Sequence, residues 1–257
     1  TNWQKVAMRS VAPEMRHLLT ITGGSERVKA YTALSYYDQE SIYRSDSYNY
    51  KRYNARTNIE VDLKEIGLRI NTGLEAYITN LREPNSSNYN VWSHIQNKKP
   101  MEAATNPMGQ PYSGTVDNPL VDISDEGGYN KWNKTNVRGT VNAQWAVPGV
   151  QGLTITGIGS YAILSERQKR WNMQAHSYSW EGDPNTIPMP SLSKRSDFYT
   201  YYNTQLLANY RRDFGLHNVE VTFGIEASGS SYDNNSLGRS QYVLDLSLIH
   251  ISEPTRL

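Results

Sequence analysis

The chain has 257 residues and a formal net charge of +1, a balance that indicates no nucleic-acid-binding surface. Its mean hydropathy is -0.68, and no run approaches the about 18 apolar residues that a membrane helix needs, so a helical membrane protein is excluded. A β-barrel is not excluded, because half of the residues in each barrel strand face a polar lumen.

The first predicted hairpin covers residues 17–38, where two alternating stretches flank a turn at residues 23–26. The second covers residues 53–78 and alternates apolar and polar side chains on both arms. A helical interpretation of 53–78 fits less well, because Val61 would lie off the apolar stripe and Gly67 is a poor helix former. We therefore predict strands in both segments.

Two further hairpins follow the same pattern. Residues 137–164 alternate on either side of a break at Pro148 and Gly149, and residues 202–228 alternate on either side of a polar break at 213–218. Four hairpins predict about eight strands. The letters GIGSYA at residues 157–162 match the glycine-rich fingerprint of dinucleotide-binding proteins. They fall inside a predicted strand with no helix after them, so a dinucleotide-binding site is not expected there.

The connections between hairpins are far longer than the turns within them. They span residues 39–50, 80–136 and 166–197, so every second connection is long. Short turns at one side and long polar loops at the other are typical of outer-membrane barrels, whose turns are periplasmic and whose loops are extracellular. Structureless loops of this length argue against a compact soluble domain.

In such a barrel, the apolar side chains of the second hairpin are expected on the convex face and the polar ones on the concave face. The apolar set is Ala55, Ile59, Val61, Leu68, Ile70 and Leu74, and the polar set is Arg56, Asn58, Glu60, Arg69 and Glu75. Eight strands of a wider barrel should also form an open sheet, with unpaired edges near residues 15–22 and 219–228.

Several stretches resemble one known family. The segments TNWQKVAMRS, HLLTITGGSERVKAYTALSYYDQESI and YKRYNARTNIEVDL, and the later YNTQLLANYRRDFGLHNVEVTFGIEAS, resemble the barrel of SusC/RagA-like TonB-dependent transporters of the Bacteroidetes outer membrane. Ser41 stands where the family more often has Gly. The resemblance implies an antiparallel all-β barrel of about 22 strands, of which this chain would supply about eight.

The last residues have a different character. The letters LSLIHISEPTR, at residues 246–256, resemble a translated sequencing-library adapter. The alternative is a short final strand that ends before Pro254. We therefore expect residues 1–245 to be a partial transporter barrel without its plug domain, and residues 246–257 to be a non-native tail.

Catalytic, metal and cofactor sites are not predicted. The histidines have no ligand spacing, and carboxylate pairs such as Glu60 with Glu75 are explained by a water-filled lumen. Asp122, Asp125 and Glu126 could bind calcium, although they match no EF-hand pattern and fit a solvated loop better. We expect no enzyme activity.

Aromatic side chains of the two longest connections are the candidate ligand contacts, because flat rings stack on sugars or peptide side chains. They are Trp92, Tyr112, Tyr129, Trp132, Trp171, Tyr178 and Trp180. The alternative for these rings is a membrane-interface girdle or packing within the loops.

The resemblance implies uptake of a large nutrient, an oligosaccharide somewhat more than a peptide, across the bacterial outer membrane. It also implies contact with outer-membrane lipid, a SusD-like lipoprotein over the extracellular mouth, and a TonB complex reached through the plug. Two alternatives stay open: a glycan-binding surface β-protein, and a complete small eight-stranded barrel that acts as an adhesin. Neither alternative transports anything.

Overall fold

A computed structural model describes residues 1–114, 117–173, 175–185 and 190–240 of the chain. Three short helices and eight strands make up its regular structure. The helices are α1 (Trp3–Ala7), α2 (Asn88–Asn97) and α3 (Pro119–Asp122). The strands are β1 (Glu14–Gly24), β2 (Val28–Gln39), β3 (Asn49–Leu63), β4 (Leu68–Glu83), β5 (Gly128–Ala146), β6 (Leu153–Asn172), β7 (Ser191–Phe214) and β8 (His217–Arg239). The predicted tail at 246–257 lies outside the described residues.

The eight strands form a single antiparallel sheet in the described part of the chain. Its order is β1 to β8, so every strand pairs with its neighbours in sequence. The four predicted hairpins and the all-β fold class are therefore confirmed. No helix among the described residues is long and apolar enough to cross a membrane.

Residues 53–78 form strands β3 and β4 rather than a helix. A single 3-10 turn, Lys64–Ile66, joins them, and Gly67 follows with a φ of 68°. A Cβ at Gly67 would lie 2.6 Å from the backbone oxygen of Ala146, so a side chain has neither the conformation nor the space it needs there. Glycine at this position serves the tight turn that the strand interpretation requires.

Later strands run further toward the long connections than predicted. β5 begins at Gly128, β6 continues to Asn172 and β7 begins at Ser191. The predicted loops at 80–136 and 166–197 therefore shrink to residues 84–127 and 173–190. These strand extensions are polar on both faces, as in KWNKTN at 131–136, so no alternation of hydropathy marks them.

One face of the sheet is apolar and the other is mostly polar. The register pairs Leu74 with Thr57 and Gly139, and pairs Val141 with Thr72, so these side chains share a face. We call it the apolar face. Neither a second sheet nor a helix in the described part of the chain covers it, and Leu74 and Val141 are 54% and 43% exposed. The predicted division of β3 and β4 into two faces is confirmed.

The sheet is open at both sides. β1 pairs with β2 alone and β8 with β7 alone among the described strands. The predicted edges near 15–22 and 219–228 are thus confirmed. Each edge leaves a row of backbone N–H and C=O groups without strand partners.

All long connections lie at one end of the sheet. Because neighbouring strands are antiparallel, residues 40–48, 84–127 and 173–190 meet at this end, and the short turns lie at the other. We call the two ends the loop end and the turn end. The predicted sorting of connections by length is confirmed.

The loop end has a hydrophobic core of its own, so its connections are not structureless as predicted. Its buried residues come from the N-terminal segment, from 40–48 and from 84–127: Trp3, Ala7, Tyr43, Val91, Ile95, Ala104 and Ile123. The Tyr43 hydroxyl donates to Asn88 Oδ1 at 2.7 Å, and burial raises the pKa of that phenol to about 12. The Trp3 indole N–H donates to the backbone oxygen of Lys99 at 3.1 Å.

Candidate functional site

The polar face near the loop end is lined by hydrogen-bonded polar side chains. On β3, the Arg52 guanidinium lies 4.6 Å from the centre of the Tyr77 ring and its Nε donates to Asn54 Oδ1 at 2.8 Å. Asn54 Nδ2 in turn donates to Ser35 Oγ at 2.9 Å. A planar cation, a ring and amides are thus held side by side, and each can bind a polar ligand.

A second polar cluster on the same face is centred on Asp197 of β7. This residue is 3% exposed, and its carboxylate lies 2.7 Å from Arg195 Nε. The Tyr232 hydroxyl donates to Asp197 Oδ1 at 2.8 Å, and Asn234 donates to the same oxygen. Because its oxygens are already engaged, Asp197 positions its neighbours and is poorly placed to act on a ligand itself.

Trp132 lies on the polar face of β5. The register sets it between Leu81 of β4 and Gln168 of β6, and its ring is half-buried. Of the three predicted ligand-contacting aromatics that the structure places on strands, Trp132 alone lies on this face. It is the strand aromatic that a ligand in a barrel lumen could reach.

Three of the predicted aromatics form one cluster where two long connections meet. The rings of Tyr112 and Trp180 are 5.3 Å apart, edge to face. The backbone of Tyr112 bridges that of Tyr178, and Tyr178 N–H donates to the Pro111 oxygen at 2.8 Å. Asn106 Nδ2 adds a hydrogen bond to the Ser179 oxygen at 3.1 Å. The cluster therefore fastens residues 104–114 to 176–185, while Trp180 stays 49% exposed.

The seven predicted aromatics thus do not form one site. Trp92 lies on α2, beside the loop core, with its ring 46% exposed. Tyr129 and Trp171 are directly opposed on β5 and β6 and lie on the apolar face. The placement of Tyr129, Trp132 and Trp171 in loops was wrong, because β5 and β6 extend past the stretch whose hydropathy alternates.

The acidic residues of the longest connection have protein partners. Asp122 accepts hydrogen bonds from Ser86 Oγ and lies against His94 Nδ1, both at 2.6 Å. Asp125 forms a 3.2 Å ion pair with Arg82. Within the described ranges, no group of three or more His, Cys, Asp or Glu side chains could hold a metal ion. These contacts explain the acidic residues through loop packing.

Comparison with known proteins shows which solved structures share this fold. No protein-family model and no curated protein matches the chain. A solved structure of the RagAB peptide importer in a closed-closed state matches it with a TM-score of 0.68 and 20% identity, covering 95% of this chain and 27% of that one. A structure of the RagAB peptide transporter gives a TM-score of 0.70 and 19% identity, with the same shares covered.

A more distant match is a P. aeruginosa FpvA structure with bound pyoverdine, with a TM-score of 0.56 and 13% identity over 87% of this chain and 26% of that one. The resemblance to TonB-dependent transporter barrels is therefore confirmed as a likeness of fold. The chain is folded as part of such a barrel wall and spans 27% of the RagAB chains that it matches.

Proposed function

We propose that this chain is a wall segment of a TonB-dependent transporter that carries a large polar nutrient, an oligosaccharide or a peptide, across the bacterial outer membrane. The observation that carries the proposal is that one face of the single sheet is apolar and uncovered, while its other face is mostly polar. A sheet of this kind is stable where lipid contacts one face and water the other. The chemistry is passage rather than reaction, and no cofactor is needed.

The loop end fits the extracellular side of this arrangement. The long connections are packed together by the loop core and by the Tyr112–Trp180 cluster. A SusD-like lipoprotein would bind over this end, as the family resemblance implies. Energy from a TonB complex would reach the barrel through a plug domain. Outer-membrane lipid would contact the apolar face.

Either substrate class can be recognised by the polar face. Arg52, Tyr77 and Trp132 offer a cation and flat rings beside amide groups, which suit sugar rings and peptide backbones alike. The family resemblance slightly favours an oligosaccharide, whereas the similar RagAB structures are of a peptide importer. Both classes therefore belong in the first experiment.

The two alternative functions have less support. A glycan-binding surface β-protein that does not span the membrane would have to cover the apolar face, and nothing in the described part of the chain does so. A complete eight-stranded barrel would need β1 to pair with β8, yet each of these strands has a single partner in the described sheet. Both observations favour a segment of a wider wall.

Deletion of the gene that encodes this chain should abolish uptake of one nutrient class by the source bacterium. The measurement is growth and uptake on single oligosaccharides and on defined peptides, with the gene restored as the control. Loss confined to peptides would exclude the oligosaccharide and leave transport intact. Unchanged uptake of every nutrient would contradict transport.

Trp132→Ala in the complete transporter should weaken substrate binding by about 0.5–1.5 kcal/mol, the value of one aromatic contact. Trp171→Ala is the matched control, because it also removes an indole ring, but from the apolar face of the neighbouring strand β6. Calorimetry of both variants would measure the difference. Equal affinities for Trp132→Ala and the wild type would remove Trp132 from the ligand site.

A further inference from the structure

Tyr77 of β4 is surrounded by cations on the polar face. The register places it directly between Asn54 of β3 and Asn136 of β5. Because side chains two positions apart on a strand share a face, the four diagonal neighbours of Tyr77 lie on this face as well. They are Arg52, Arg56, Lys134 and Arg138. One ring therefore has a cation at each of its four corners.

Three of the four cations have no carboxylate partner. Lys134 forms an ion pair with Glu166 at 2.5 Å. Among the described residues, none of Arg52, Arg56 and Arg138 forms an ion pair, and the last two are exposed. We call these three residues the arginine patch. Its guanidinium groups keep donors free for a ligand.

Glu75 lies between the two exposed arginines of the patch. The register sets it directly opposite Arg56 on one side and Arg138 on the other, so these two arginines are separated by two strand spacings, about 10 Å. Within the described ranges, no ion pair joins Glu75 to either of them. Three arginines and one carboxylate leave a local charge of about +2.

Elsewhere on the polar face, opposed charges form close ion pairs. Lys29 Nζ lies 3.2 Å from Glu60 Oε1, and Arg69 lies 3.0 Å from Asp62 Oδ2. These pairs contribute to the sheet and neutralise each other. The arginine patch differs from them, because its charge exceeds what the neighbouring side chains neutralise. Free guanidinium groups of this kind bind carboxylates through two parallel hydrogen bonds.

The surroundings of the patch suit a sugar as the carrier of those carboxylates. Arginine clusters also bind acidic peptides, but peptides are commonly held at a free sheet edge or by apolar pockets for their side chains. β3, β4 and β5 are each paired on both sides. The neutral side chains beside Tyr77 are polar: Asn54, Thr79 and Asn136. Amides pair with hydroxyl groups, and a tyrosine ring packs against a sugar ring.

Trp132 extends the same surface toward the loop end. It is opposite Leu81, which lies four residues and about 13 Å beyond Tyr77 on β4. A ligand that contacts Trp132 and the arginine patch together must therefore be a chain of several units. An oligosaccharide with carboxylates on some of its sugar rings meets this requirement.

We infer that the polar face selects acidic oligosaccharides, and that Arg56 and Arg138 bind the carboxylates of their uronic-acid residues. Arg52 holds the Tyr77 ring beside them, at 4.6 Å from its centre. The inference rests on the proposed function, because it names the substrate class of the same polar face.

The test uses the complete transporter in detergent and the variant Arg56→Gln/Arg138→Gln. Arg167→Gln/Lys169→Gln is the matched control, because it removes two positive charges from the apolar face of β6. Calorimetry would measure binding of oligogalacturonate and oligomannuronate, and of the same oligosaccharides as neutral methyl esters. The patch variant should lose about a hundredfold in affinity for the acidic oligosaccharide that the wild type binds most tightly. The control should bind it like the wild type, and no variant should bind the esters tightly.

Glu75→Gln provides a second measurement with the opposite sign. Glutamine keeps an oxygen that accepts hydrogen bonds from hydroxyl groups, but it removes the negative charge between Arg56 and Arg138. Affinity for the acidic oligosaccharide should therefore rise about threefold or more. A fall in affinity would contradict the assignment of carboxylates to the patch.

Equal binding of acid and ester forms by the wild type would overturn the inference, as would equal affinities of the patch variant and the wild type for the acid. A glutamate-rich peptide that binds more tightly than every acidic oligosaccharide would overturn the sugar assignment. Membrane insertion and nutrient uptake are measured in parallel. A wild type that imports only uncharged nutrients contradicts the arginine patch alone, whereas a wild type that imports nothing contradicts the proposed function.

Discussion

Val141→Arg should destabilise the folded transporter by about 2–4 kcal/mol, the cost of arginine on the lipid face of a barrel near the bilayer midplane. Val141 lies on the apolar face of β5, midway along the apolar band, where it is 43% exposed. Lipid would surround the new guanidinium and offer it no hydrogen-bond partners. Urea titration of the protein in lipid vesicles would measure the loss.

Asn142→Arg is the matched control for this substitution. The register pairs Asn142 with Asn71 and Ile158, on the polar face one position along the same strand. A guanidinium there would reach the water of a lumen, and the change in stability should stay within about 0.5 kcal/mol. Similar losses for the two variants would contradict the assignment of lipid to the apolar face.

A polypeptide of residues 1–240 produced alone should not give a monodisperse soluble monomer. Both edge strands, β1 and β8, would offer unpaired backbone groups to other copies. The apolar face would also be in water, with Leu74 54% exposed. Gel filtration with light scattering, with and without detergent, is the measurement.

A sharp monomer peak without detergent would contradict this prediction and with it the open, lipid-facing sheet. Detergent is the control, because it covers the apolar face and leaves the edges free. Association that persists in detergent would therefore point to the edges. Dispersal by detergent would assign the association to the apolar face.

Prediction from the sequence succeeded where hydropathy alternates. On β3 and β4, Ile59, Val61, Ile70 and Leu74 recur at every second or fourth position, and this period of two fixes both the strand and its face. It failed where both faces are polar. Lys131 and Asn133 belong to β5, but their side chains are as hydrophilic as those of a loop.

Helix α2 was also missed, although a signal exists in the sequence. Val91 and Ile95 are four residues apart and both are buried, and Ser87 precedes the helix as its cap, accepting from Asn90 N–H at 3.3 Å. Three asparagines in its ten residues lower the helix propensity, so the short pattern did not stand out.

The candidate site was only partly predictable for a different reason. Sequence showed which aromatics exist, but only the register shows that Trp132 and Trp171 lie on opposite faces. Arg82, Lys131 and Lys169 are likewise dozens of positions apart in the sequence, and two successive strand pairings bring them side by side. No local sequence pattern predicts that proximity.

The order of the strands also bears on how the sheet can assemble. All seven pairings join neighbours in the chain, so no strand has to wait for a distant segment before it can pair. Each new strand can add to the free edge left by the previous one, and most turns to be closed are short. The connections at 40–48, 84–127 and 173–190 are longer, and 84–127 is the longest of them at 44 residues. Closure entropy grows only by about 0.6 kcal/mol for each doubling of loop length, so even this step delays growth of the sheet modestly.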